Sequence, residues 1–308
     1  MEPPARGGPV VNSRARLVDR PSKFDYSRVT VTFDSGGDAC TGWLYRPDRP
    51  TDAPVVVMAG GLALPREVLR PLAERFAEAG YATFCFDYRG VGDSEGEPRG
   101  LLSPSRAVAD WEEAVARVRE LDGVDARSLV LWGHSLGGAH ALSVAADDPR
   151  IRAVVAVAPV LSGKSLVRAR PLPDVVKSLA AGVRDTVQSK LPRLGPYTVP
   201  LAGDDTDGAL VPDTSFRGAY RRLTSIPDVP ARSFLVLSGY QVSLDDVACP
   251  TLLVAGSYDD LAPADGLADE AADHPDATVL RVPATHLDLL DDEGTLDHTL
   301  VFLDGLFG

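Results

Sequence analysis

The chain has 308 residues, 44% of them hydrophobic, and its 44 acidic residues against 31 basic ones leave a formal net charge of −13. That length and apolar content suit one large core carrying an insertion, and the acidic balance, with no basic run beside an aromatic cluster, argues against nucleic acid or an anionic membrane as a partner. Cys40, Cys85 and Cys249 are odd in number and far apart, each in or beside an apolar run, so they read as buried free thiols in a reducing compartment and not as a nucleophile. The stretch from Met1 to Lys23 is rich in Pro, Gly and Arg and has neither the apolar run of a signal peptide nor a membrane span. The expectation is a cytoplasmic protein, not membrane-bound, with a ragged leading segment.

Arg28–Phe33 and Cys40–Tyr45 alternate apolar and polar residues on either side of the turn cluster Asp34–Asp38, which predicts an antiparallel hairpin. Val55-Val56-Val57-Met58 is a continuous β-branched run suited to a strand covered on both faces, and it leads into Ala59-Gly60-Gly61-Leu62. A helical spacing of apolar residues over Val68–Ala79 ends at Gly80 and hands over to the strand Tyr81–Phe86, which completes a βαβ unit. The glycine-rich loop Asp87–Ser94, an amphipathic helix over Ser105–Leu121 and a strand at Ser128–Trp132 follow. A helix ending near Asp148-Pro149 and the strand Ile151–Ala158 continue the alternation, which predicts a parallel sheet with crossover helices.

From Val160 to Ala248 the alternation stops. That segment offers helices at Val175–Leu191 and Phe216–Leu223, several prolines and the loop Gly203–Gly208, and it reads as an inserted helical cap over the carboxyl ends of the strands. Leu179, Val183 and Tyr220 are the residues expected to line an enclosed, apolar pocket beneath it. The sheet resumes with Thr251–Ala255, a helix at Ala264–Ala272, the strand Thr278–Val282 and a last helix from Glu293 to Phe307. The chain therefore divides into a core at 1–159, a cap at 160–248 and the rest of the core at 249–308.

Between the strand at Ser128–Trp132 and the following helix lies Gly133-His134-Ser135-Leu136-Gly137, a Gly-x-Ser-x-Gly nucleophile elbow in the strand-to-helix context that the motif requires. The turn forces its serine into a strained conformation, and small residues on both sides let strand and helix approach. A serine hydroxyl needs a base within hydrogen-bond reach and an acid to hold that base's tautomer. Of the five histidines, His286 follows the last strand across the short loop Pro283-Ala284-Thr285 and points to the crevice at the strand ends. His134, His140, His274 and His298 read as surface or internally satisfied side chains. The acid is expected at Asp259, in the loop Gly256–Pro263 after an intervening strand, with neighbouring Asp260 the candidate cap of the next helix. The oxyanion donors are expected to be the N–H groups of Leu136, after the nucleophile, and Leu62, in the turn after Met58.

With these pieces in order, residues 28 to 305, apart from the cap, resemble the α/β-hydrolase superfamily. Within it they resemble the serine-dependent branch of serine aminopeptidase and X-Pro dipeptidyl-peptidase catalytic domains. The resemblance rests on Phe86–Gly96, on Gly133–Gly138, on Gly256 through Asp259 to Pro263, and on His286. It implies an eight-stranded, mostly parallel sheet with helices on both faces and an acyl-enzyme mechanism that needs no cofactor and no metal. Many relatives carry His-Gly in the oxyanion turn, where this chain has Gly60-Gly61.

The function these residues point to is serine hydrolysis of an ester, thioester or lactone of a small, largely apolar acyl substrate, a small molecule. Acyl transfer or cyclisation of a biosynthetic intermediate, and C–C or amide hydrolysis, are the alternatives within the same pocket. A binding protein that has lost turnover is a third, which the presence of Ser135, Asp259 and His286 argues against.

Overall fold

The computed structural model describes residues 10–12, 23–168, 170–191, 194–204 and 208–307. Of the leading stretch expected to be ragged, only Val10–Asn12 and Lys23 fall within them, and of the Gly203–Gly208 loop, Asp205–Asp207 fall outside. The main strands are β1 (Val10–Asn12), β2 (Tyr26–Ser35), β3 (Asp38–Pro47), β4 (Ala53–Ala59), β5 (Ala82–Phe86), β6 (Val124–His134) and β7 (Ala153–Val157). Helices α1 (Arg70–Glu78), α2 (Pro104–Val118) and α3 (Leu136–Asp147) connect them. Beyond β7 come α4 (Lys164–Arg168), α5 (Leu172–Gln188), the short strands β8 (Thr198–Pro200), β9 (Ala202–Gly203) and β10 (Val211–Pro212), and α6 (Thr214–Leu223). Then follow β11 (Asp228–Pro230), α7 (Ser233–Ser238), β12 (Thr251–Gly256), α8 (Ala264–Ala271), β13 (Ala277–Val282) and α9 (Glu293–Phe307).

The strands β1 to β7 with β12 and β13 form one sheet in the order β1-β13-β12-β7-β6-β4-β5-β3-β2. The pairs β2/β3 and β3/β5 are antiparallel and the rest parallel. Eight of these nine strands are those expected from the sequence, and β1 adds a three-residue parallel edge beside Val279–Arg281 of β13. The central strands are buried along their length because both faces are covered by helices, so their sequences are continuous apolar runs. Alternation survives on the antiparallel strands β2 and β3. The chain turns back at β4, between β5 and β6, so the loops leaving β4 and β6 lie side by side at the carboxyl edge, where open parallel sheets place their ligands.

The segment between β7 and β12 leaves the sheet and holds itself together with buried polar groups. Asp185 of α5 is fully buried, accepts from Tyr197 N at 2.9 Å and Arg232 N at 3.0 Å, and pairs with the Arg232 guanidinium at 3.2 Å. Buried Arg170 donates to Ser178 Oγ at 2.8 Å and to the carbonyls of Ala209 and Leu210. Close packing sets the orientation of α5: a Cβ at Gly182 would lie 2.6 Å from Leu235 Cγ, so this face presses on α7. The opposite face carries Leu179 and Val183, 40% and 55% exposed, together with Val176 and Val187. The expectation that Leu179 and Val183 line a pocket is therefore corrected, because the apolar stripe of α5 faces away from the core and the helix packs through Gly182 and Asp185. Tyr220, by contrast, is fully buried and points at the core. Among the described residues, no helix is long and apolar enough to cross a membrane.

Candidate active site

Ser135 caps α3 at φ 59°, ψ −125°, a positive-φ conformation costly for any residue but glycine. The close approach of the surrounding backbone leaves no alternative. A Cβ at Gly133 would lie 2.2 Å from Gly137 O, and one at Gly61 only 2.6 Å from Leu136 N. The strain is offset by hydrogen bonds: Ser135 N donates to Val157 O at 2.9 Å, and Ser135 O accepts from Gly138 N at 3.1 Å.

Three side chains converge across 151 positions of sequence. Ser135 Oγ lies 2.8 Å from His286 Nε2, and His286 Nδ1 lies 2.7 Å from Asp259 Oδ2. The carboxylate is an acceptor, so the proton sits on Nδ1, and Nε2 is free to accept the serine proton. The other oxygen of Asp259 accepts from the N–H groups of Leu261 and Ala262, both at 2.9 Å. One acid therefore both orients the imidazole and organises the loop before α8, while Asp260 is exposed and Pro263 occupies the helix cap. Ser135, Asp259 and His286 are 1%, 5% and 5% exposed.

Leu136 is the first residue of α3, and its N–H has no partner within the helix. Leu62 and Ala63 both adopt positive φ, 51° and 56°, in a turn closed by Leu64 N donating to Gly61 O at 3.1 Å. Neither Leu62 N nor Leu136 N has a hydrogen-bond partner among the described residues. The turn is held from both sides. Tyr220 of α6 donates its hydroxyl proton to Leu62 O at 2.9 Å. Further along, Asp87 at the start of the glycine-rich loop accepts from Arg66 N at 2.6 Å and from Asp93 N at 3.1 Å, and pairs with the Arg66 guanidinium.

Two histidines read as surface or self-satisfied turn out to be buried beside the centre. His134 Nε2 donates to the carbonyl of His286 at 2.9 Å and so fixes the loop that carries the imidazole. Burial and the neighbouring His286 push His134 down to about 3, so it is neutral. His140 is likewise pushed down to about 3 by burial. The signal that marks His134 is a polar residue closing a strand that is otherwise buried, but its partner lies 152 residues away and no spacing rule reaches that far.

Two hollows flank the centre. A narrow, mainly apolar slot of only about 30 Å³ runs past Gly61, Leu62 and Leu136 to Tyr88 and His140, with Leu237 as the contribution of the inserted segment. A wider cleft of about 390 Å³, mixed in polarity, opens beside His286 between Phe216 and Arg222 of α6 and the Tyr258–Leu261 loop. Neither is lined by Leu179, Val183 or Tyr220, the cap residues expected around an enclosed, mainly apolar pocket. Among the described residues there is no cluster of His, Cys, Asp and Glu able to hold a metal ion.

The family described as serine aminopeptidase, S33, matches residues 50–280. The chain belongs to that family of α/β hydrolases. The quorum-quenching protein AidA of Acinetobacter baumannii is 34% identical over 269 residues, 85% of this chain and 88% of that protein. The thiohydrolase aneE of Aspergillus aculeatus is 34% identical over 129 residues, 42% of this chain and 40% of its own. The polyketide transferase grgF of a Penicillium species is 33% identical over 121 residues, 39% of this chain and 40% of its own. The crystal structure of the Penicillium α/β hydrolase GrgF superposes with a TM-score of 0.79 at 24% identity, covering 91% of this chain and 99% of that one, which shows the shared fold.

Proposed function

We propose that this α/β hydrolase cleaves an ester, thioester or lactone of a small, largely apolar acyl compound through an acyl-enzyme. Ser135 attacks the carbonyl, His286 takes the proton at Nε2 and returns it to the leaving group, and Asp259 holds the imidazole in the Nδ1–H tautomer. The N–H groups of Leu62 and Leu136, aided by the amino end of α3, hold the developing oxyanion. The observation that carries this reading is the continuous Ser135–His286–Asp259 relay, at 2.8 and 2.7 Å, on a serine held at positive φ. Residues 160–248 act as a cap on a core formed by 1–159 and 249–308. The free, buried cysteines support a reducing compartment, and so a cytoplasmic enzyme acting on small molecules.

The test is covalent. Stopped flow with short p-nitrophenyl esters yields a burst equal to the enzyme concentration, and an organophosphonate labels Ser135 alone. A wild type that neither turns over the esters nor takes the label, or labelling that persists in Ser135→Ala, overturns the assignment.

One observation favours acyl transfer as a second reading: Ser135 is only 1% exposed, and burial of that kind limits the approach of water to an acyl group on it. The names of the thiohydrolase and polyketide transferase relatives fit both outcomes. Partitioning of the acyl-enzyme between water and an added alcohol or thiol decides between them.

A further inference from the structure

Helix α5 is covered on one side only. Of its seventeen residues Gly182 and Asp185 alone are buried, the first pressed on Leu235 and the second bound to Arg232. Leu172, Val176, Leu179, Val183 and Val187 are spaced four, three, four and four apart, so they share one sector of the helix, and they are 40% to 75% exposed. No charge interrupts that sector between 172 and 187, where Ala180 and Thr186 fill the gaps. Leu191 and Leu194, beyond the helix end, are half-exposed. Seven of the twelve large apolar residues exposed among the described residues therefore lie within 172–194. Single exposed leucines are ordinary, but a concentrated stripe marks a surface that something covers. Valine is a poor helix former, and a helix of this kind draws its stability from burying such a stripe.

Size and pattern point to what covers it. From their exposures the seven side chains present roughly 700 Å² to solvent, more than the ~300–600 Å² of the largest patch on an ordinary monomer and close to the ~800 Å² that each partner buries in a stable complex. The stripe is also its own complement. When a second α5 runs antiparallel to the first, Leu179 of one copy meets Val183 of the other, and the contact repeats about a two-fold axis between them. The helix ends agree with that direction: Asp174, at the amino end, gives one oxygen to Lys177 at 2.7 Å, and antiparallel pairing turns the other towards Lys190 of the second copy. Parallel pairing would set Asp174 against Asp174 and align the two helix dipoles. A lipid surface is the poorer match. The chain carries a net charge of −13, and the cations flanking the stripe are engaged internally, Lys177 with Asp174 and Arg184 over the Tyr197 ring at 3.9 Å.

We propose that the outer face of α5 is the interface of a two-fold symmetric dimer, with a second copy of this chain seated antiparallel on Leu172–Val187. The dimer does not depend on the reaction assigned to Ser135. Asp185, on the inner side of the same helix, holds Tyr197 N and Arg232, so pairing braces the inserted segment from outside.

Sedimentation velocity on the full chain is expected to give twice the chain mass at micromolar concentration. Val183→Glu, with an unchanged circular dichroism spectrum, weakens the dimer at least about 100-fold in Kd, because it places an unpaired charge at the centre of an apolar contact. Leu179→Arg does the same and serves if Val183→Glu does not fold. Val301→Glu, on α9 and as exposed as Val183 (57% against 55%), leaves the dimer intact. Mixed Leu179→Cys and Val183→Cys chains join by a disulfide on air oxidation, whereas Leu172→Cys chains do not join to themselves. A wild type that stays monomeric at about 100 µM, a dimer that both charge variants leave intact, or self-joining of Leu172→Cys overturns the proposal. So does a monomer that floats with phosphatidylcholine–phosphatidylglycerol vesicles, which gives the stripe to a lipid surface.

Discussion

Asp259 uses each of its two oxygens for a different purpose, and substitution can separate them. Asn at 259 can still accept from the N–H groups of Leu261 and Ala262, so the loop survives, but its amide presents a donor to His286 and favours the wrong tautomer. Asp259→Asn is expected to lose up to about 10⁴ in kcat, the scale seen for this change in the serine-protease triad, with an unchanged circular dichroism spectrum. Asp260→Asn, at an exposed position, is expected to stay within about twofold of the parent. A greater loss at 260 than at 259 refutes the role given to Asp259. At this scale the sequence is informative where a motif or chain order constrains a residue: the elbow points to Ser135, and the position of a loop after a strand points to Asp259 and His286. It is silent where the contact is long-range. His134 and His140 look alike in sequence, yet one holds the His286 carbonyl and the other faces the slot.

Among the elements, α6 joins the inserted segment to the Gly61–Leu64 turn. Asp213 caps it by accepting from Ser215 N at 2.7 Å and Phe216 N at 3.1 Å, so the helix starts two residues before the apolar spacing suggests. That start sets the direction of Phe216, whose ring lies 6.0 Å from His286, and of Tyr220 one turn later. Tyr220→Phe keeps the packing and deletes one buried hydrogen bond, leaving Leu62 O without its donor. The expected result is a fall of about tenfold in kcat with a smaller change in KM, measured on a p-nitrophenyl ester. An unchanged kcat removes Tyr220 from the positioning of the turn. Helix α5 is the opposite case: its 3.6-residue period is plain in the sequence, but period alone does not say which face turns inward. The deciding contact, Gly182 on Leu235, comes from a helix fifty residues further along.

For the whole molecule, the apolar runs and βα alternation are enough to read eight strands and their direction, because burial on both faces writes itself directly into composition. The three-residue edge β1 is beyond such reading, since a strand that short has no period. Two buried neutral histidines make the folded state sensitive to acid. His134 and His140 sit at about 3 in the folded chain against an ordinary value of 6.5, so below pH 6.5 the unfolded chain binds the extra protons. Stability is complete above that pH and falls as the pH drops towards 3, by about 2 kcal/mol per histidine at pH 5. Urea midpoints at pH 7 and pH 5 measure this, and His140→Gln should flatten the difference; an equal slope in that variant counts against a neutral buried His140. The Tyr220–Leu62 hydrogen bond reaches further still. On the proposed mechanism it couples the position of α6 to the turn that holds the oxyanion, and linkage makes that coupling reciprocal. An adduct on Ser135 that engages the turn must hold the segment down. Phosphonylated enzyme should therefore exchange its amide hydrogens more slowly across 214–223, and Tyr220→Phe should erase that protection.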